Sequence, residues 1–468
     1  MSVFRRKSIT EMLQEKAASS AKGMKKELGV FDLTMLGVGC VVGTGIFVLT
    51  GVAAANHAGP GLILSFLLAG IVCAFCALCY AEFASMVPVS GSAYTYSYAT
   101  FGEIFAWVLG WDLILEYGFA ASMVASGWSG YFQGLLSGLG LDLPRAISSA
   151  FNPAEGTYFD LPAVLIVLLL TFVVSRGAKE STRLNAIMVV VKVVVILLFI
   201  IVGVFYVKPS NWTPFMPFGF SGVVTGAATA FLAYIGFDVV ATAAEEVRNP
   251  QKDLPKGILW SLAVCSLLYI LVTAVLTGMV PYHLLNVKNP VAFALQYIHQ
   301  DWVAGFISLG AIVGITTVLF VLLFGQTRLF FAIGRDGLLP KRLSKVNPKS
   351  GAPEFSTWVT GAVVALFAGL IPLGRLADLV SIGTLFAFIS VSVGIIILRK
   401  TRPDLERSFR VPLVPLIPII AALTCGYLLI SLPRITWIAF LIWMAVGLCV
   451  YFFYGYKHSL LAKDKGNS

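Results

Sequence analysis

The sequence predicts an all-α polytopic membrane protein with twelve transmembrane helices. Of its 468 residues, 58% are apolar and 12% are charged, whereas roughly 25% are charged in soluble domains. The apolar residues form runs of about 20, the length that crosses a bilayer as a helix. These runs lack the period-two alternation of a membrane β-barrel, so helices are expected.

Charged residues, Pro and Gly divide the apolar sequence into twelve predicted spans. In chain order they cover about 31–54, 60–87, 104–134, 160–175, 184–207, 221–245, 257–281, 302–327, 355–371, 377–398, 411–432 and 436–456.

Positive charge predicts the orientation of these spans, because Lys and Arg are retained in cytoplasmic loops. With the N-terminus inside, 27 of the 33 Lys and Arg residues fall in inner segments, and Lys192 lies within span 5. Both termini are therefore expected in the cytoplasm. The net charge of +10 reflects this orientation, and no nucleic acid partner is predicted.

The span order also predicts an internal repeat. Residues 1–30 form a cytoplasmic N-terminal segment, and residues 458–468 form a cytoplasmic C-terminal tail. Spans 1–5 (31–207) and spans 6–10 (221–399) are two halves of similar length, followed by spans 11 and 12 (411–457). Because five helices per half is an odd number, the halves have opposite orientations. Inverted repeats with discontinuous first helices are typical of secondary transporters.

Glycines interrupt span 1 near its middle at Gly43-Thr44-Gly45. Close helix packing is one interpretation of such glycines. At mid-membrane depth they also permit an unwound helix, which frees backbone N–H groups and presents a helix N-terminus to a carboxylate. We favour the binding role.

Span 6 has a similar interruption about halfway across, where Gly236 precedes Asp238 by two residues. An Asp at this depth is costly to insert. It either caps a second half-helix or reinforces freed carbonyl groups that face a substrate ammonium. Both interpretations need a broken helix.

Two further ionisable residues lie inside predicted spans. Lys192 is too deep in span 5 to extend easily to the surface, and burial gives access to both its neutral and its charged form, so a proton is the expected coupling ion. A permanent structural ion pair is the alternative. Glu116 in span 3 can pair with Lys192, contact a cationic substrate, or line a wet cavity. Glu82, Glu103 and Asp112 lie nearer span ends and are expected to be solvated or paired with loop bases.

The sequence contains no pattern typical of enzyme chemistry. It has no Walker loop, no metal-ligand spacing and no Ser-His-Asp arrangement. The triplet Cys73, Cys76 and Cys79 follows helical spacing and has no fourth cysteine nearby to complete a cluster site. We predict no catalytic residue, no cofactor and no metal.

Four segments together identify a family resemblance. They are Gly43 to Phe47, Pro88 to Tyr96, Tyr234 to Asp238, and Glu245 to Pro250. The chain resembles the amino acid–polyamine–organocation superfamily, and within it the bacterial relatives of the cationic amino acid transporters. This implies the leucine-transporter fold, with five-plus-five inverted repeats and spans 11 and 12 appended.

The resemblance also implies roles for individual residues. Amide groups around Thr44 and Gly45 hold the substrate carboxylate in the family. Carbonyl groups near Val41, Leu232 and Ile235 hold its amino group.

Three more positions follow from the same resemblance. Lys192 matches a span-5 lysine that implies proton symport. Glu116 and Leu322 complete the side-chain pocket. Glu116 suits a cationic amino acid, but Leu322 is bulky and apolar, so small neutral amino acids such as alanine are expected to be preferred and cationic ones to be weaker substrates.

We therefore expect an importer of L-amino acids in the cell membrane, driven by protons and surrounded by lipid. An exchanger that needs no proton is the closest alternative. A channel or solute sensor would use the same pocket, but two broken helices favour a carrier over a channel. Whether a small membrane protein packs on spans 11 and 12 is left open.

Overall fold

The structure, a computed structural model, describes residue 5 and residues 28–87, 92–176, 181–242, 247–287, 289–347 and 353–460. Within these residues the fold is helical, and it forms isolated β-bridges but no β-strand. The sequence-based prediction of an all-α protein is confirmed over this part of the chain.

The α-helices follow one another with short connections. They are α1 Val30–Val41, α2 Thr50–Ala53, α3 Leu62–Met86, α4 Ser92–Thr100, α5 Glu103–Gly138, α6 Leu161–Ser175, α7 Ser181–Val204, α8 Gly219–Ala233, α9 Val239–Thr242, α10 Pro250–Met279, α11 Pro290–Tyr297, α12 Asp301–Arg335, α13 Glu354–Leu370, α14 Leu373–Thr401, α15 Leu416–Ile430, α16 Arg434–Val450 and α17 Tyr456–His458.

Proline marks the start of several of these helices. Pro162, Pro250 and Pro290 each occupy the first turn of their helix, where the missing N–H is not needed and the fixed φ suits the helix. Asp160 additionally caps α6 by accepting a hydrogen bond from the Ala163 amide at 3.1 Å. Helix α6 thus begins at 161, next to the predicted boundary at 160, whereas α10 begins at 250, seven residues before the predicted boundary at 257.

Seven helical segments in the described part of the chain are long and apolar enough to cross a membrane. Five shorter apolar helices accompany them: α1, α6, α8, α13 and α15. The protein is therefore a polytopic integral membrane protein. Two short helices, α4 and α11, were not predicted, because neither contains an apolar run of membrane-spanning length.

The longest helix, α5, is the most buried of the long apolar helices, and α12, the next longest, is also mostly buried. The most apolar 18-residue stretch is 78% buried in α5 and 61% buried in α12, but 22% buried in the segment Arg434–His458. That peripheral segment exposes Ile438, Leu441 and Phe453, and an apolar outer face of this kind suits contact with lipid chains.

One end of the bundle is tied together by buried carboxylates. Glu103 accepts hydrogen bonds from Tyr451 at 2.9 Å and Ser459 at 2.5 Å, and Arg5 lies 4.0 Å from it. The predicted pairing of Glu103 with a base is confirmed. Of the two expected alternatives, solvation and pairing, it is pairing that holds, because the side chain is fully buried.

Glu82, on α3, is a second buried carboxylate with several polar partners. Its carboxylate pairs with Arg399 at 2.6 Å and with Arg407 at 3.4 Å, and accepts from the Val411 amide at 2.6 Å. These contacts fix the connection between α14 and α15 against α3. Glu82 is fully buried, so it too is paired and not solvated.

We expect Glu82→Ala to lower the free energy of unfolding by about 3 kcal/mol, because removing one partner leaves buried charge uncompensated. Thermal unfolding of the detergent-purified protein measures this as a fall in Tm. The matched control is Asp404→Ala, since the Asp404–Arg402 pair is well exposed and contributes little. Equal Tm values for both variants would contradict the prediction.

Candidate functional site

The first predicted interruption lies at residues 42 and 43. Helix α1 ends at Val41, and Val42 is extended with φ −76° and ψ 95°. Helical winding resumes at Thr44 and continues through a π-helical turn at Gly45–Leu49. Because this is a new helix start, the N–H groups of Thr44 and Gly45 lie outside the helical hydrogen-bond ladder. They can therefore donate to an anion.

The second interruption separates α8 from α9. The chain leaves α8 after Ala233, turns through residues 234–238 and enters α9 at Val239. Gly236 has φ +112°, a conformation that L side chains rarely adopt. A Cβ at this position would also lie 2.7 Å from Cys40 Sγ. The turn therefore requires glycine and contacts the end of α1.

The two interruptions also meet at a second point. A Cβ on Gly45 would lie 2.6 Å from Cα of Ala233. Backbone packs directly against backbone here, and that is possible only because residue 45 has no side chain. The start of the second half of span 1 thus lies against the carbonyl end of α8.

A cavity of about 30 Å³ lies between these helix ends. A cavity needs at least about 10–15 Å³ to hold one water, so this one has room for a water or two and not for an amino acid. An amino acid fits only after the surrounding helices move apart. The predicted residues that line it are Val41, Gly43, Thr44, Gly45, Leu232, Ile235 and Leu322.

Seven further lining residues were not predicted from the sequence: Cys40, Ala120, Met123, Val124, Ala233, Val318 and Val380. Three of them follow Glu116 at helical spacing on α5, and that period could have found them. The wall is mostly aliphatic, and Thr44 is its one hydroxyl side chain. The cavity therefore suits a ligand whose charged groups meet helix ends and whose side chain is apolar.

Lys192 lies behind this cavity and not in its wall. Its side chain is fully buried, and its ammonium donates to the carbonyl oxygens of Gly39, Val42 at 3.0 Å and Gly314 at 3.5 Å. Two of these carbonyls belong to span 1 and one to α12. In the described part of the chain Lys192 forms no ion pair with Glu116, so that interpretation of Glu116 is not supported.

The predicted acidic residues form a second buried group beside the cavity. Glu116 is 1% exposed and Asp238 is 2% exposed, and neither lines the cavity. Tyr117 donates to Asp238 at 3.2 Å. Both oxygens of Asp112 are buried and have no hydrogen-bond partner among the described residues, so its predicted solvation or pairing is wrong. Buried carboxyl groups of this kind are costly unless a hydrogen-bond donor or a cationic group lies nearby.

Two of the sequence motifs lie partly outside the described residues. Pro88 to Gly91 and residues 243–246, including Glu245 and Glu246, lie outside the described residues. Gly236 and Asp238 are described, and both lie in the turn between α8 and α9.

Comparison with known proteins finds relatives over almost the whole chain. Residues 28–453 match the family model described as amino acid permease. The chain is 56% identical to a methylthioribose transporter of Bacillus subtilis, with 99% of this chain and 100% of that protein aligned. It is 54% identical to a branched-chain amino acid permease of the same organism, over 98% and 99% of the two chains. It is 38% identical to a vacuolar cationic amino acid transporter of Arabidopsis thaliana, over 81% of this chain and 64% of that protein.

Proposed function

Since the chain belongs to the amino acid permease family, and thus to the amino acid–polyamine–organocation superfamily, we propose that it imports small neutral L-amino acids together with protons. It is an integral membrane protein and not an enzyme. One observation carries the proposal: an N–H-bearing helix start and two carbonyl-bearing helix ends converge on one cavity. A zwitterion of amino acid size matches these opposite dipoles.

The proposed architecture is the leucine-transporter fold with twelve transmembrane helices. Its inverted repeats are residues 31–207 and 221–399, and its two added helices are residues 411–457. The protein lies in the cell membrane, and its terminal segments, residues 1–30 and 458–468, lie in the cytoplasm. The position of the interruptions supports this, because each lies in the first span of its half. An inverted repeat brings two such interruptions together at mid-membrane.

In the proposed binding mode, amides at Thr44 and Gly45 hold the carboxylate, next to Gly43. Carbonyl groups near Val41, Leu232 and Ile235 hold the amino group. Asp238, after Gly236, strengthens the negative end of that site. The substrate enters when spans 1 and 6 move apart, and the small cavity forms when they return.

Lys192 provides the proposed proton coupling. When charged, it holds the carbonyl of Val42, the residue at which span 1 unwinds. When neutral, it loses most of the attraction that holds this carbonyl. Protonation can therefore bias span 1 between two positions, which is what coupling requires.

The aliphatic wall supports a neutral substrate, and the name of the branched-chain permease relative agrees with that class. The methylthioribose transporter relative raises a second candidate, a thiosugar. The structure favours the amino acid, because converging helix ends match a zwitterion and a single hydroxyl offers little to a sugar.

Uptake of radiolabelled alanine into proteoliposomes, with and without an inward proton gradient, tests the proposal. We expect accumulation that needs the gradient and is reduced by unlabelled valine. Accumulation without a gradient, insensitive to protonophore, would favour an exchanger. Uptake of radiolabelled methylthioribose in the absence of any alanine uptake would overturn the substrate class. Conductance far above carrier turnover would indicate a channel.

We expect Leu322→Ser to improve arginine uptake relative to alanine by about tenfold, because it removes apolar bulk from the cavity wall. The measured quantity is the ratio of kcat/KM values for the two substrates. Leu319→Ser is the matched control: it removes a buried leucine of the same helix that does not line the cavity. No gain in arginine uptake over this control would refute the steric argument.

A further inference from the structure

The hydroxyl group of Tyr269, on α10, lies between the ends of the two interrupted helices. It is 2.8 Å from the carbonyl oxygen of Val41, the last residue of α1. It is 2.7 Å from the carbonyl oxygen of Ala233, the last residue of α8. One side chain thus contacts both interruptions at the point where their regular hydrogen bonding stops.

In this contact a single hydrogen-bond donor serves two acceptors. A tyrosine hydroxyl has one proton to donate, and here two carbonyl oxygens lie within hydrogen-bond distance of it. Each oxygen belongs to the C-terminal end of a helix, where the helix dipole is negative. Two such ends repel each other when they are brought together, and a shared donor between them offsets that repulsion. Tyr269 therefore holds the two negative helix ends together, as a cation placed between them would.

The ring of Tyr269 is held in place from two sides. Its centroid lies 5.2 Å from the ring of Phe66 and 5.2 Å from the ring of Tyr234, and the side chain is fully buried. Tyr234 in turn donates to the carbonyl of Phe66 at 3.0 Å. This packing fixes the position of the hydroxyl, so Tyr269 can set the separation of the two helix ends.

Tyr269 is not in the wall of the cavity, whereas Val41 and Ala233 are. Each carbonyl oxygen has a second lone pair that can accept from a ligand on the cavity side. From this geometry we infer that Tyr269 is a positioning residue, which ties the carbonyl ends of α1 and α8 together and sets their spacing for the substrate amino group. This inference rests on the proposed function and deepens it.

The first test is alanine binding to the full-length protein carrying Tyr269→Phe, by scintillation proximity or calorimetry. We expect Kd to rise about tenfold, since the change removes a buried donor while the ring stays. The matched control is Tyr131→Phe. Tyr131 is also fully buried, but it donates to one carbonyl, that of Phe47, at 2.6 Å. We expect its Kd to stay near that of the wild type.

The second test needs no substrate. Cys40 lines the cavity and faces the turn at Gly236, so its reaction with N-ethylmaleimide reports how tightly the two interruptions pack. The parent protein keeps Cys40 and carries alanine at the six other cysteines: Cys73, Cys76, Cys79, Cys265, Cys425 and Cys449. We expect faster labelling of Cys40 with Tyr269→Phe than with Tyr131→Phe.

Unchanged labelling of Cys40 in Tyr269→Phe would overturn the inference, and so would an equal increase in both variants, which would indicate a general loss of packing. An unchanged Kd in Tyr269→Phe, measured against a wild type that binds alanine, would overturn it as well. If the wild type bound no amino acid, the proposed function would fail, while the labelling comparison would still decide the role of Tyr269.

Discussion

Lys192→Ala is expected to abolish proton-driven accumulation of alanine. An inward gradient of one pH unit supplies about 1.4 kcal/mol per proton, enough for roughly tenfold accumulation. Without the amine, the carbonyls of Gly39, Val42 and Gly314 lose their shared donor. The position of span 1 then no longer depends on a proton, so the variant should equilibrate alanine without concentrating it. Uptake into proteoliposomes at a fixed gradient measures the difference.

Two controls separate loss of coupling from loss of the fold. Lys208→Ala removes an exposed lysine and should accumulate alanine like the wild type. Counterflow at equal pH on both sides should persist in Lys192→Ala, because the cavity wall does not include Lys192. Full gradient-driven accumulation by Lys192→Ala would show that the lysine has a structural role only, and it would favour an exchanger over a proton-coupled importer.

Gly45→Ala is expected to raise KM for alanine by about tenfold or more, because overpacking of a tight contact costs about 1–3 kcal/mol. The new Cβ would lie 2.5 Å from Cβ and 2.6 Å from Cα of Ala233. Backbone cannot yield as a flexible side chain does, so the two interruptions must separate. The N–H groups proposed to hold the carboxylate move with them.

Gly305→Ala is the matched control for this change. Gly305 also lies within a helix, but a Cβ there meets nothing within 4 Å. It should leave KM and Tm unchanged. If Gly45→Ala transported alanine with wild-type KM, the close approach of the two interruptions would have no role in binding.

Most of the helices could be predicted from the sequence, because apolar runs of membrane length have few alternative structures. The predicted ends failed where helices continue into charged sequence. Span 8 was expected to end at 327, but α12 reaches Arg335. Arg328 lies over the ring of Phe324 at 3.9 Å, so a charged residue remains part of the helix. A helix end predicted at the first charged residue is therefore too early for such a helix.

The candidate site could be predicted in part. Glycine in mid-membrane indicated both interruptions, since few residues permit the turn at Gly236. The partners of Lys192 could not be predicted, because backbone carbonyls have no residue-type signature and any sequence supplies them. The same holds for Tyr269, whose two acceptors are main-chain atoms. The burial of Asp112 could not be predicted, because its position near a span end does not show that neighbouring helices cover it.

The small size of the cavity has a consequence for measured affinity. In the conformation described, the cavity has about 30 Å³ of open volume, which is too small for an amino acid, so substrate binds only to a more expanded form. Apparent Kd then equals the intrinsic Kd divided by the expanded fraction, so an expanded fraction of about 1% weakens it about a hundredfold. Substitutions far from the cavity, or a change of lipid, can thus alter apparent Kd for every substrate by the same factor. A uniform shift across substrates identifies an effect on this equilibrium, whereas a selective shift identifies a residue that contacts the ligand.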